Sequence, residues 1–280
     1  RMNGGAQLAP LRGAPGIVRL HGHRAARGVL PENTLIGFRN TFDIGVQAVE
    51  LDVLVTADEV PVVTHNPRLM AASTRGPDGA WLTEDSALIA QMTFAELQQY
   101  DIGGLRAGTE YADRYPDQAF MTGLRVPSLA QVAEMITGPG LDDAWLNIEI
   151  KSHPDKPEQT PPLPVLAGSV LEVISAYGIR DRVLLQSFDW RVLGEIERQA
   201  PDLPRSYLSY APRPDPPMEV NIFEGSAWMG GASLARHGGS LPKIVAALGG
   251  TVWSPHFRDC TAMAVAEAHA LGLVVNVWTV

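Results

Sequence analysis

From Ile17 onward, short runs rich in β-branched and aromatic residues alternate with stretches whose apolar positions recur every three or four residues. The first pattern is that of strands and the second that of helices. The runs IVRLH, AVELDVLV, VPVVTH, WLNIEI, RVLLQSF, RSYLSY, TVWSPHF and LVVNVW predict strands. Between them, Asn33 or Thr34 reads as the N-cap of a helix with Leu35, Phe38 and Phe42 on one face and Gly45 as its stop. Ser128 and Gln131 form a capping box ahead of an apolar stripe of Leu129, Val132, Ala133 and Ile136. Residues 168–178, 189–200, 240–249 and 261–272 repeat the helical pattern. Strictly alternating element types predict an α/β fold with a parallel sheet, and a TIM (β/α)8-type barrel of about 250 residues would use nearly the whole chain.

Three segments break the rhythm. HPDKPEQTPPLP after Ser152 and APRPDPP from Ala211 are too rich in proline for a helix or a central strand. Residues 66–126 read as an irregular insertion after the third strand-like segment, with a short helix from Thr93. Residues 1–16 read as a flexible tail and 17–280 as a single barrel domain. In a barrel, segments that follow strands lie over the C-terminal mouth.

Composition narrows the function classes. A chain of 280 residues that is 45% hydrophobic and 19% charged can bury a core, which excludes disorder. A net charge of −9 with scattered basic residues excludes a nucleic-acid partner. The lone cysteine, Cys260, excludes an intrachain disulfide but leaves the compartment open, exported or cytoplasmic. No apolar run approaches the ~20 residues of a membrane span.

Strand parity then points to chemistry. Glu50 and Asp52 project to one side of AVELDVLV, and Val49, Leu51, Val53 and Val55 to the other. In WLNIEIKS, Asn147, Glu149 and Lys151 share one side, opposite Leu146, Ile148 and Ile150. With the apolar sides against helices, three acids and a lysine face inward, as a layer of salt bridges or as a site. Three carboxylates make a hard oxygen site for one divalent cation, Mg2+ or Ca2+, rather than zinc. Lys151 beside them points to an anionic ligand. His23 and His65 each end a strand before a loop, and such a pair can serve as general acid and general base.

These residues resemble the glycerophosphodiester phosphodiesterase family. GHRAARGVLPENT is similar to its His-Arg-Gly and Glu-Asn-Thr opening, VELDVLVTADEVPVVTHN to its Glu-x-Asp and His-Asp segment, and LNIEIK to its Glu-x-Lys strand. The resemblance implies a phosphodiesterase TIM barrel that hydrolyses glycerophosphodiesters, small-molecule substrates, to glycerol 3-phosphate and an alcohol. His23 and His65 would be the acid–base pair, Arg24 and Lys151 would grip the phosphate, and Glu50, Asp52 and Glu149 would hold the cation. The attacking group would be water or the substrate's own glycerol hydroxyl. Ala25 stands where the family usually has glycine, and Asn66 where it usually has aspartate. After WTV the family normally continues with a helix and a strand, so the natural chain is expected to extend beyond Val280.

Other readings make different demands. His21-Gly22-His23 would also suit a metal-dependent amidohydrolase, but LLQSFDW and RSYLSY lack the histidines that class needs. A phospholipase D-like enzyme acting on lysolipids would share the same core, with Trp81, Trp190, Trp228, Trp253 and Trp278 as candidate walls of an acyl groove. A non-catalytic anion-binding barrel would have little reason to keep all seven polar residues.

Overall fold

The structure, a computed structural model, describes residues 7–12, 16–215 and 218–280. Residues 1–6 and 13–15 of the expected tail, and Pro216 and Pro217 of the second proline-rich segment, lie outside the described residues. Ala9–Leu11 forms a single 3-10 turn. The chain divides into two compact units, one of residues 18–151 and 157–183, the other of residues 1–17, 152–156 and 184–280.

The first unit carries β1 (His21–His23), β2 (Ala48–Val55), β3 (Pro61–Val63) and β4 (Trp145–Ile150). β1 and β4 lie parallel to β2 on either side of it. β3 instead turns back antiparallel, pairing Val63 with Val53 and Pro61 with Val55. Its connection is too short for a parallel crossover, which takes a dozen residues or more. Thr56 closes the turn through its own N–H to the Val60 carbonyl and by accepting from the Val60 N–H. Of the run IVRLH only His21 onward is strand, because β2 begins opposite His21 at Ala48. Ile17, Val18 and Leu20 are exposed.

Five helices belong to this unit: α1 (Leu35–Asp43), α2 (Phe94–Leu97), α3 (Glu110–Arg114), α4 (Leu129–Thr137) and α5 (Leu163–Ala176). Thr34 caps α1 by accepting from the Gly37 N–H, and Gly45 follows it with a φ of 95°. In α4 both halves of the capping box form and the four predicted stripe residues are buried. α5 starts five residues earlier than its periodicity suggests, with Pro162 as N-cap and Pro164 in the first turn. Proline is tolerated there because the first N–H groups of a helix have no intrahelical partner. The end of the proline-rich segment is therefore a helix start.

Residues 66–126 bury their own apolar set, Leu69, Ile89, Met92, Leu97 and Val126, against Leu54 of β2 and Val62 of β3. Leu54 shares its strand face with Glu50 and Asp52, so this segment covers the end of the face that carries the acids. Arg75 is buried inside it, bonded to Asp101 and the Met121 carbonyl and facing the Phe120 ring at 4.7 Å.

The second unit carries β5 (Val183–Ser187, from Leu184 on), β6 (Arg205–Ser209), β7 (Val252–Pro255) and β8 (Val274–Val275), paired in parallel in that order. α6 (Trp190–Gln199), α7 (Leu241–Ala247) and α8 (Ala262–Ala270) complete it. Trp190 and Trp253 are each 2% exposed in its core, with Leu193, Tyr207 and Ile244. Their indole N–H groups donate to the Leu208 carbonyl and the Ser209 hydroxyl. Both are core residues. The described residues hold no helix long and apolar enough to cross a membrane.

The α4 cap gives a stability test. Ser128→Ala removes the acceptor for the Gln131 N–H and should lower unfolding free energy by about 1 kcal/mol. Ser128→Asp should retain most of it, and urea denaturation of both variants measures the difference.

Candidate active site

Register places the polar residues of β1, β2 and β4 in layers. His23 stands opposite Glu50, and Glu50 opposite Asn147; one step along, Asp52 stands opposite Glu149. Carboxylate oxygens of Glu50, Asp52 and Glu149 all lie within 4.8 Å of one another, and all three residues are buried. The predicted inward set is thus assembled in a single cluster.

Each acid has a partner. Lys151 places Nζ 3.1 Å from Asp52 Oδ1 and 2.8 Å from Glu149 Oε1. Asn33 Nδ2 donates to Asp52 Oδ2 at 2.9 Å, and the Arg24 backbone N–H donates to Glu50 Oε2 at 3.1 Å. The Arg24 guanidinium places Nε 3.4 Å from Asp52 Oδ2 and Nη1 3.1 Å from Glu32 Oε1.

Electrostatics follow the geometry. Burial and then the charges of Asp52 and Glu149 raise the Glu50 pKa well above the usual carboxylate value. Burial also raises Glu149, against the pull of Lys151. Burial works on Asp52 too, but Lys151, His65 and Arg24 outweigh it and hold that carboxyl well down. For Lys151 burial is outweighed by Asp52 and Glu149, so the ammonium is held charged. Two carboxyls pushed up first by burial and then by neighbouring carboxylates are what a bound cation would relieve. The acid cluster could therefore hold a metal ion, through oxygens alone.

The two histidines are held differently. Arg27 Nη2 lies 3.1 Å from His23 Nδ1. A guanidinium only donates, so Nδ1 accepts and the neutral ring carries its proton on Nε2, which faces Glu50 Oε2 at 3.9 Å. Close packing, then the Arg27 and Arg24 charges, lowers the His23 pKa to about 3. His65 Nδ1 lies 2.7 Å from Asn66 Oδ1, so it donates and the Nε2 lone pair is the one that can take a proton. Burial and then Lys151 hold His65 well below its ordinary value.

Sequence reasoning missed four residues around this cluster: Arg27, Glu32, Asn33 as a partner of Asp52, and Tyr111. Arg27 is four residues after His23, and Glu32 and Asn33 belong to the PENT turn, so a signal existed for these three. Tyr111 reaches Glu32 from 79 residues away and leaves no local trace. The remaining histidine of this unit, His21, does not join the acids and is bonded to Asn147.

The Glycerophosphoryl diester phosphodiesterase family matches residues 23–280. The glycerophosphodiester phosphodiesterase of Caldanaerobacter subterraneus subsp. tengcongensis is 28% identical over 181 residues, 65% of this chain and 62% of that protein's length. A Silicibacter pomeroyi DSS-3 crystal structure, provisionally named a glycerophosphoryl diester phosphodiesterase, is 45% identical, with a TM-score of 0.85 over 98% of this chain and 87% of the other. An Oleispira antarctica phosphodiesterase solved with its product, sn-glycerol-3-phosphate, is 23% identical, with a TM-score of 0.65 over 94% of this chain and 84% of that one. That likeness speaks for a shared fold, of TIM-barrel type, in agreement with parallel strands separated by helices. Matched by its family over residues 23–280, this chain belongs to the glycerophosphoryl diester phosphodiesterases.

Proposed function

We propose that the protein hydrolyses glycerophosphodiesters to glycerol 3-phosphate and an alcohol with the help of one divalent cation, Mg2+ or Ca2+. The observation that carries this reading is the buried cluster of Glu50, Asp52 and Glu149 flanked by Arg24, Lys151 and two strand-end histidines. The glycerol 3-phosphate bound by the Oleispira antarctica phosphodiesterase supports the product assignment. When bound, the cation would act as a Lewis acid on a phosphoryl oxygen and lower the pKa of the attacking hydroxyl.

The protein's own residues would do the rest. Arg24 and Lys151 hold the phosphate, the guanidinium by its planar fork and the ammonium as a point charge. His65, with an unprotonated Nε2, removes the proton of the attacking hydroxyl, from water or from the glycerol itself. His23, once protonated to the imidazolium, gives its Nε2 proton to the departing alkoxide and returns to the neutral ring. Arg24 and Arg27 disfavour the His23 imidazolium in the free protein. The single negative charge of the phosphodiester opposes that effect, so substrate binding shifts His23 toward the acid form.

Glu149→Ala should weaken Mg2+ or Ca2+ binding by calorimetry and lower kcat at least a hundredfold, with the melting temperature largely kept. Unaltered cation affinity in that variant would remove Glu149 from the ligand set.

His23→Ala and His65→Ala should each lower kcat on glycerophosphocholine by about 10²–10⁴-fold. The double variant should cost little more than either alone, because groups acting on one reaction are not additive. A 4-nitrophenyl ester, whose leaving group needs no proton, should restore turnover in His23→Ala and not in His65→Ala. Restoration of the other variant alone would reverse the two roles.

A further inference from the structure

The Arg24 side chain is drawn in two directions. On one side its Nε faces Asp52 Oδ2 at 3.4 Å. On the other its Nη1 donates to Glu32 Oε1 at 3.1 Å and approaches the Tyr111 hydroxyl at 3.4 Å. The Tyr111 hydroxyl in turn donates to Glu32 Oε2. Glu32 thus has one carboxylate oxygen on Arg24 and the other on Tyr111, and the three polar groups close a ring. Nη2 is committed to none of these bonds.

Asp52 is flanked by two cations, Lys151 at 3.1 Å and Arg24 at 3.4 Å. Glu32 supplies a counter-pull, but a partly exposed glutamate has several rotamers, and only some reach Nη1. The phenol selects among them. Tyr111 keeps its proton, since burial first and the Glu32 charge next raise its pKa. It therefore stays a donor and holds the carboxylate in the rotamer that meets Arg24.

Tyr111 is itself fixed in place. α3 ends at Arg114, and the residues just after it are tied to the β1–α1 loop. The Arg27 guanidinium lies over the Tyr115 ring at 4.7 Å, Gln118 Nε2 donates to the Arg27 carbonyl, and the Ala119 N–H donates to the Val29 carbonyl. Tyr111 and Tyr115 pack edge to face at 5.3 Å. The loop that carries Arg24 and the segment that carries Tyr111 are joined by contacts of several kinds.

We propose that Tyr111 is a positioning residue for phosphate recognition, acting through Glu32 to fix Nη1 of the Arg24 guanidinium while Nε faces Asp52, so that the fork is held in one orientation with Nη2 open to the phosphate. This rests on the reading of Arg24 as a phosphate ligand, and it assigns residues 110–119 a part in the grip itself. A pre-set guanidinium binds an anion more tightly because less side-chain freedom is lost on binding.

The test is calorimetric titration of glycerol 3-phosphate into the cation-loaded protein as wild type, Tyr111→Phe, Arg24→Ala and the double variant. Tyr111→Phe keeps the ring against Tyr115 and removes only the hydroxyl. Its dissociation constant should rise about three- to tenfold, the scale of one hydrogen bond to a charged group, with the melting temperature unchanged. In the Arg24→Ala background the same change should have no further effect, which a merely structural tyrosine would not show. Glu32→Gln should weaken binding in the same direction and add little to Tyr111→Phe.

Wild-type affinity in Tyr111→Phe, with affinity lost in Arg24→Ala, would overturn this inference and leave Arg24 as the phosphate ligand. An equal loss with and without Arg24 would also overturn it, because Tyr111 would then act elsewhere. Wild-type affinity in Arg24→Ala would remove Arg24 from the phosphate site, and the role of Tyr111 with it.

Discussion

Three carboxylates buried within 4.8 Å of one another are the constraint around which the first unit is arranged. Two like charges at about 4 Å repel by about 4 kcal/mol at an effective dielectric of 20, and three acids make three such pairs. Hydrophobic packing does nothing to relieve this. Relief comes from Lys151 between Asp52 and Glu149, from Asn33 and Arg24 on Asp52, and from the Arg24 N–H on Glu50. Asp52, which takes most of that help, is held low, and the other two remain high. A site so divided has room for one more positive group, next to the two acids least served.

The wider charge count agrees. With all four acids ionised, as a bound cation would favour, Glu32, Glu50, Asp52 and Glu149 give −4, and Arg24, Arg27 and Lys151 give +3, a balance of −1. A divalent cation would turn that into +1, and a phosphodiester monoanion would return it to zero. Neither ligand alone leaves the buried cluster neutral, so cation and substrate each improve the electrostatics for the other.

Much of this could be read in the sequence because it depends on period. Alternation along AVELDVLV and WLNIEIKS fixes which side chains share a face, and the observed register sets Glu50 against Asn147 and Asp52 against Glu149. The caps at Thr34 and Ser128 were legible for the same reason, since a helix start is a local event. What period could not show was direction and distance. VPVVTH has a strand's composition whether it runs parallel or antiparallel, and only the short connection through Thr56–Val60 decides. Proline density in 153–164 marks a break, yet Pro164 sits where a helix tolerates it. Tyr111 depends on a contact between distant segments, which no pattern of neighbouring residues encodes.

The loop that starts at Arg24 shows how such a cluster constrains the backbone. Arg24, Ala25 and Asn33 have φ of 50°, 70° and 53°, the left-handed region that costs a residue with a side chain about 1–2 kcal/mol. Strain of this kind persists only where surrounding contacts over-determine it. Here those contacts are the acids: the turn at Arg24 aims its N–H at Glu50 and its side chain at Asp52, and Asn33 aims its amide at Asp52. Glycine would meet the demand at position 25 without strain, and Ala25 keeps the conformation with a buried methyl. Gly22 leaves room for the Ala25 carbonyl and Gly37 for its methyl. A Cβ at Gly22 would fall 2.8 Å from the Ala25 carbonyl oxygen, and one at Gly37 would fall 3.3 Å from the Ala25 methyl. Flexibility missing at 25 is thus offset by space at 22 and 37, and the loop can bring Arg24 and Asn33 onto the buried acids without glycine at position 25.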